Sequence, residues 1–443
     1  MESTAAAHPP KARLATRRHG TEAYAAIRSA TRVLAAPLSA EDCAIQSMPD
    51  ASPVKWHLAH TAWFFETFVL GSRRRGYRPF DAAYRTLFNS YYNAVGERHP
   101  RPERGMLSRP SLDEVIAYRD YVDQKMLDLL SGARLPARLE ALVELGLHHE
   151  QQHQELILTD LKHLLSRNPL KPCYRPWEPP AATGPGVRQW IHVGAGVREV
   201  GHGGAGFAFD NEGPRHRVWL DEFLIASHPV TNGEFVDFID DGGYRRPELW
   251  LSAGWDLATA RAWRAPLYWE RRDGQWHSFT LHGDAPVDRH APVCHLSFFE
   301  ADAFARWANA RLPTESEWEV VACDEPVIGN FLESGALHPR AAGDAPRGTP
   351  VRSIRAVARD GVPAQVYGDV WEWTRSDYGP YPGYRIAPGA VGEYNGKFMC
   401  GQYVLRGGSC VTPASHIRAT YRNFFPPEAR WQFSGVRLAR DAR

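Results

Sequence analysis

Apolar residues recur every three to four positions from about Thr21 to Asn168, the spacing of amphipathic helices. Beyond that the pattern breaks into short apolar runs divided by Gly, Pro and Asn. The first stretch predicts long helices over 21–37, 52–71, 111–131 and 137–166. Ser52-Pro53 reads as an N-cap followed by proline at the first helical position. Ser111-Leu112-Asp113-Glu114 has the form of a capping box before an apolar run that stops at Gly132. Four such helices predict a four-helix bundle whose second and fourth members share the core. The 171–187 stretch, rich in Pro and Gly and without periodicity, predicts a linker. After it, Arg217–Leu220 and Tyr403–Leu405 read as strands, Thr231–Asp240 and Ser297–Ala310 as the clearest helices. The expected layout is a flexible N-terminus over 1–20, a bundle over 21–170, the linker, and a second domain over 188–443 with little regular secondary structure.

The pattern acquires chemistry in the fourth helix. Leu142, Leu145, His149, His153 and Leu156 fall on one face, because residues four apart lie one turn above each other. Two imidazoles therefore point inward, where burying them unpaired costs desolvation energy and chelating a metal offsets it. In the second helix Trp56, His60, Trp63 and Phe64 share an apolar face, so His60 supplies a third inward imidazole. His57 and His148 lie close enough in sequence to stand in for these ligands. His149-Glu150-Gln151-Gln152-His153 is also literally HExxH, the helix of zinc peptidases, although its metzincin continuation is absent. Three neutral imidazoles on one side of a metal leave positions open, which suits Fe(II) with two substrates and O2 better than a closed zinc site. The residues alone do not name the metal.

Composition narrows the partners. With 43% hydrophobic and 23% charged residues and a net charge of +1, the 443-residue chain is ordinary globular protein, with no electrostatic reason to expect nucleic acid or a membrane surface. No apolar run approaches the ~18 residues of a spanning helix, and the N-terminus lacks a signal's apolar segment, so a cytoplasmic location is expected. The six cysteines form no CxxC pair, which fits reduced thiols. Oligomeric state has no signature in the sequence.

SPxxWHLAH and HHEQQHQE in a helical domain resemble the DinB-like half of the ergothioneine-biosynthesis sulfoxide synthases (EgtB-like). The second half resembles their formylglycine-generating-enzyme-like (sulfatase-modifying factor) domain. Its motifs are Phe209-Asp210-Asn211-Glu212, His228-Pro229-Val230-Thr231-Asn232, Arg311-Leu312-Pro313-Thr314-Glu315-Ser316-Glu317-Trp318-Glu319, Gly368-Asp369-Val370-Trp371-Glu372-Trp373-Thr374, Leu405-Arg406-Gly407-Gly408-Ser409 and Gly435-Val436-Arg437. The resemblance implies an N-terminal DinB-like four-helix bundle and a C-terminal C-type-lectin-like α+β domain. It implies a non-haem Fe(II) enzyme that uses O2 to join a thiol to hercynine, Nα-trimethylhistidine. His60, His149 and His153 match the family's iron ligands, and Gln152, Asn423 and Phe424 match positions that hold the betaine. Phe424 stands where many relatives have tryptophan, and either ring offers a π face to a trimethylammonium group. Arg101 and Arg104 match a basic loop that grips the thiol substrate's carboxylate.

Departures from one branch of the family choose the thiol. Relatives using γ-glutamylcysteine resemble one another in an Asp and an Arg shortly after the asparagine matched by Asn423; here those places hold Phe425 and Ala429. Tyr91-Tyr92 is instead similar to the tyrosine pair of the branch that accepts free L-cysteine, with Tyr92, assisted by Tyr91, supplying a proton. The segment after Gly-Gly-Ser holds one cysteine, Cys410, where formylglycine-generating enzymes use two, so formylglycine formation is disfavoured. The rival readings are another donor or acceptor (γ-glutamylcysteine, histidine as in ovothiol synthesis, a selenosugar as in selenoneine synthesis), a zinc peptidase, and a lectin-like binding protein without catalysis.

Overall fold

In the computed structural model, residues 10–72, 76–132, 134–177, 186–342 and 363–442 are described, and the chain forms two units, Met1–Asp160 and Leu161–Arg443. The first is helical: α1 (Pro10–Ala35), α2 (Ala40–Ala44), α3 (Val54–Phe64), α4 (Tyr84–Leu87), α5 (Leu112–Ser131) and α6 (Ala137–Arg167), whose last residues belong to the second unit. The four long helices are those the periodicity predicts. The first starts earlier, because Pro10 suits the first helical turn and the residues after it are good helix formers. Residues 1–9 of the expected flexible N-terminus lie outside the described residues. Ser111 and Glu114 form the predicted capping box, and Gly132 ends α5. The expectation for Ser52 is corrected: Pro53 takes the N-cap position without a side-chain cap, and the Ser52 hydroxyl accepts a hydrogen bond from Arg104 Nη1 (2.8 Å) instead. Every residue of α3 is buried, so this helix runs through the bundle interior, and a π-helical turn, Phe65–Leu70, continues it.

The second unit carries β1 (Trp190–Val193), β2 (Gly196–Val200), β3 (His216–Leu220), β4 (Phe223–Ala226), α7 (Asn232–Asp240), α8 (Ser252–Ala260), β5 (Trp269–Arg272), β6 (Gln275–Thr280), β7 (Gly283–Pro286), α9 (Phe298–Trp307), α10 (Glu315–Ala322), β8 (Trp371–Asp377), β9 (Tyr403–Arg406), β10 (Asn423–Phe425), β11 (Ser434–Gly435) and β12 (Ala439–Asp441). They form small sheets ordered β1-β4-β12, β10-β9-β8-β11, β2-β3 and β5-β6-β7, antiparallel except at β8-β11. Part of the expected linker is not free: the Tyr174 and Arg175 amides both donate to Leu281 O (2.9 and 3.2 Å), while residues 178–185 lie outside the described residues.

With so little regular structure, buried ion pairs do much of the fastening, and the sequence motifs supply them. Glu372 accepts from Trp318 Nε1 (2.7 Å) and pairs with Arg437 (2.8 Å); Glu315 pairs with Arg422 (2.8 Å), and Glu319 with Arg406. Thr314 and Glu317 cap α10, and Arg311 holds Glu317 at 2.8 Å. All six cysteines are free thiols. Among the described residues no helix is long and apolar enough to cross a membrane.

Candidate metal centre

The helical period of α3 and α6 brings His60, His149 and His153 to one buried place. One nitrogen from each lies within 4.8 Å of the others, the only such group of three among the described residues. His60 Nδ1 is 2.6 Å from Phe88 O, and a carbonyl only accepts, so the hydrogen sits on Nδ1 and Nε2 is a bare lone pair. That Nε2 faces His149 Nε2 at 3.2 Å. Donors ~2.1 Å from a shared metal stand roughly 3 Å apart, so the spacing of this pair fits coordination. The protonation state fits too. Burial lowers the pKa of His149 to about 3, and burial together with the neighbouring imidazoles holds His60 and His153 well below the usual histidine range, so all three are neutral donors.

His57 is not in the group of three. Its Nδ1 is 2.8 Å from His153 Nδ1 and its Nε2 is 3.2 Å from Asp160 Oδ2, which also accepts the Ser52 amide at 2.8 Å. His148 is half-buried and likewise outside the group.

Glu150 decides the HExxH reading. Its carboxylate is fully buried, accepting from Arg28 Nη1 (2.8 Å), Thr31 Oγ1 (2.7 Å) and Arg119 Nη2 (2.9 Å). Burial works against its charge, but Arg28 and Arg119 outweigh that and hold its pKa below the ordinary carboxylate value. A base occupied by two guanidiniums cannot activate water, so the peptidase reading lacks its general base. Sequence reasoning missed Arg28, Arg119 and Asp160. Arg119 was within reach, because a charged residue interrupts the apolar face Val115, Val122, Met126 of α5. Asp160 was too, two turns beyond His153 on the same face of α6. Arg28 sits 122 positions from Glu150, and no local signal marks it.

The basic loop divides. Arg101 is exposed and donates to Asp50 O. Arg104 is buried, its guanidinium 3.4 Å from the centroid of the Trp56 ring, and Trp56 in turn stacks on His60 (4.5 Å, 14°). Among the described residues no carboxylate lies within ion-pairing distance of Arg104; burial, then repulsion from Arg101, presses its pKa down to about 8. Tyr92 is fully buried and packs on Trp63 (5.6 Å) and Tyr91 (4.7 Å), and Trp63 stacks on His60 (5.3 Å, 19°). Gln152 is half-buried on α6 beside His153. Asn423 and Phe424 belong to the second unit, on β10, opposite Leu405 and Val404 of β9. Phe424 is half-buried and stacks on Tyr378 (3.9 Å, 11°), and Arg422, clamped by Glu315, fixes the start of the strand.

Comparison with known proteins agrees with this division. Residues 23–157 match the DinB superfamily and residues 178–442 match the sulfatase-modifying factor enzyme 1-like domain. The hercynine oxygenase of Mycolicibacterium thermoresistibile is 36% identical over 407 residues, spanning 89% of this chain and 88% of its own. That of Mycolicibacterium smegmatis is also 36% identical, over 413 residues and 92% of its length. The formylglycine-generating enzyme of Streptomyces coelicolor is 30% identical over 59% of this chain and 92% of its own.

Proposed function

Because this chain belongs to the hercynine oxygenase family, a group of oxidoreductases that act on a small molecule, we propose that it joins the sulfur of L-cysteine to imidazole C2 of hercynine. O2 is the co-substrate and hercynylcysteine sulfoxide the product, as in ergothioneine biosynthesis. The C2–H and S–H hydrogens leave with one oxygen atom as water, and the other oxygen stays on sulfur. His60, His149 and His153 would hold Fe(II). Ferrous iron so bound would offer open positions for thiolate, imidazole and O2 and would pass the electrons taken from the two substrates on to O2.

The chain's own residues bind, orient and protonate. Gln152, Asn423 and Phe424 hold the betaine, with the Phe424 ring toward the trimethylammonium group. Arg104, with Arg101 at the loop's outer side, takes the cysteine carboxylate. Tyr92, backed by Tyr91, delivers the proton that turns the oxidation from simple thiol dioxygenation toward carbon–sulfur bond formation. The observation that carries this reading is the triad of neutral imidazoles next to a buried arginine that forms no direct ion pair with a carboxylate among the described residues: a candidate metal site with an anion receptor one indole away. L-cysteine is preferred over γ-glutamylcysteine because Phe425 and the buried Ala429 offer a γ-glutamyl arm no charge.

The test is mass analysis of products after anaerobic Fe(II) loading and then air, with hercynine and cysteine. Histidine, γ-glutamylcysteine and a selenosugar run as parallel substrates. A hercynine, cysteine and oxygen adduct that is lost in His153→Ala and diverted to cysteine sulfinate in Tyr92→Phe supports the proposal. An adduct formed only with γ-glutamylcysteine overturns the choice of thiol, and peptide cleavage with zinc overturns the reaction class.

A further inference from the structure

Two of the three imidazoles of the triad are oriented by different kinds of partner. His60 is held by main chain, its Nδ1 on Phe88 O, a contact that no substitution of Phe88 removes. His153 is held by a side chain: His57 Nδ1 lies 2.8 Å from His153 Nδ1, and His57 Nε2 lies 3.2 Å from Asp160 Oδ2. A carboxylate only accepts, so the hydrogen of neutral His57 is on Nε2 and its Nδ1 is a bare lone pair. That lone pair also only accepts, so His153 carries its hydrogen on Nδ1 and presents a bare Nε2 to the triad. His57, Asp160 and His153 are 2%, 5% and 8% exposed, which leaves water little room to replace either bond. His57 lies one turn before His60 on α3 and Asp160 two turns beyond His153 on α6, so the relay ties together the two helices that carry the ligands.

We infer that His57 and Asp160 are positioning residues of the metal centre: two consecutive hydrogen bonds of fixed direction set the tautomer and ring plane of His153 and strengthen its Nε2 as a donor. This rests on reading His60, His149 and His153 as the ligands. Neither residue needs to touch substrate. The relay also makes Ser52 a hinge of the site, since its amide donates to Asp160 Oδ2 (2.8 Å) while its hydroxyl accepts from Arg104.

The experiment uses the full chain loaded with Co(II), read by chelator competition and by the visible ligand-field spectrum, so that no turnover is required. His57→Phe keeps a ring but removes the acceptor, His57→Asn returns an acceptor oxygen near the place of Nδ1, and Asp160→Asn keeps shape without charge. The expected result is Co(II) binding weakened about 10–100-fold in His57→Phe with a shifted spectrum, largely recovered in His57→Asn, and weakened about tenfold in Asp160→Asn. Wild-type affinity and spectrum in both His57→Phe and Asp160→Asn, with unchanged circular dichroism and melting, would overturn the inference. If His57→Phe does not fold, Asp160→Asn alone decides it by the same criterion. His153→Ala separates the two levels: wild-type binding there overturns the ligand assignment itself, whereas lost binding there with wild-type behaviour of the relay variants overturns only the relay.

Discussion

Arg104 is where a single residue says most about the substrate. A guanidinium does not give up its proton at physiological pH, so burial and the repulsion from Arg101, offset only in part by the charge of Asp160, leave Arg104 a buried cation suited to an anion. Ser52 and the Trp56 ring solvate it without neutralising it. If Arg104 takes the cysteine carboxylate as proposed, removing its charge in Arg104→Met removes uniform binding of that substrate. The expected outcome in steady-state kinetics is a cysteine KM raised about 10²-fold, in line with the ~2–5 kcal/mol of a truncated buried ion pair, with kcat changed far less. An unchanged KM for cysteine would remove Arg104 from the substrate site. Glu150 makes the complementary point. Two arginines hold it away from any role as a base, although its place in HExxH is the one a peptidase uses.

At the scale of elements, the approach of α6 to α3 depends on one missing side chain. A Cβ on Gly146 would lie 2.6 Å from Phe65 Cε1 and 3.0 Å from Phe64 Cδ1, and His149 follows three residues later on the same helix. Glycine inside a helix costs about 1 kcal/mol against alanine, so propensity alone makes Gly146→Ala stabilising. Overpacking costs about 1–3 kcal/mol and works the other way. The contact wins if the aromatic rings cannot retreat, and burial on every side of α3 leaves them little room. The expectation is a variant about 1 kcal/mol less stable in urea unfolding, with weaker Co(II) binding because His149 is pushed from His60. A more stable variant with wild-type metal affinity would show that the helices do not depend on this approach.

At the scale of the whole molecule, the two units are built by different means. The first rests on helix faces and an aromatic interior. The second has short sheets and long irregular stretches, and buried Arg–Glu pairs such as Glu372 with Arg437 and Glu315 with Arg422 link motifs far apart in sequence. Breaking one leaves an uncompensated buried charge. Glu372→Gln strands Arg437, whose remaining partners are the Ala226, Ala364 and Gln365 carbonyls. The expected loss is about 3–5 kcal/mol, seen as an earlier tryptophan-fluorescence transition of the full chain in denaturant. An unshifted transition would mean those carbonyls suffice.

The same contrast separates what was legible from what was not. Periodicity predicts the four long helices, and the Ser111 capping box marks a real start, because a cap is decided by residues three apart; Thr231 and Ser297, read as helix starts, prove to be N-caps of the same kind. The i,i+4 rule likewise puts His149 and His153 on one inward face and His60 on another from spacing alone. Motif order identifies the second domain, but not that its charged residues serve one another. The sequence by itself determined the helices and the inward faces that carry His60, His149 and His153, since each depends on chemistry within a few residues. Only the tertiary structure decided that His60 and His149 turn Nε2 toward each other, that His57 lies against His153 and outside the group of three, that Glu150 is bound by Arg28 and Arg119, and that Arg104 is buried against Trp56 and Ser52. Each of these is set by how one helix or loop packs on another across tens to more than a hundred positions, and no local code carries that distance.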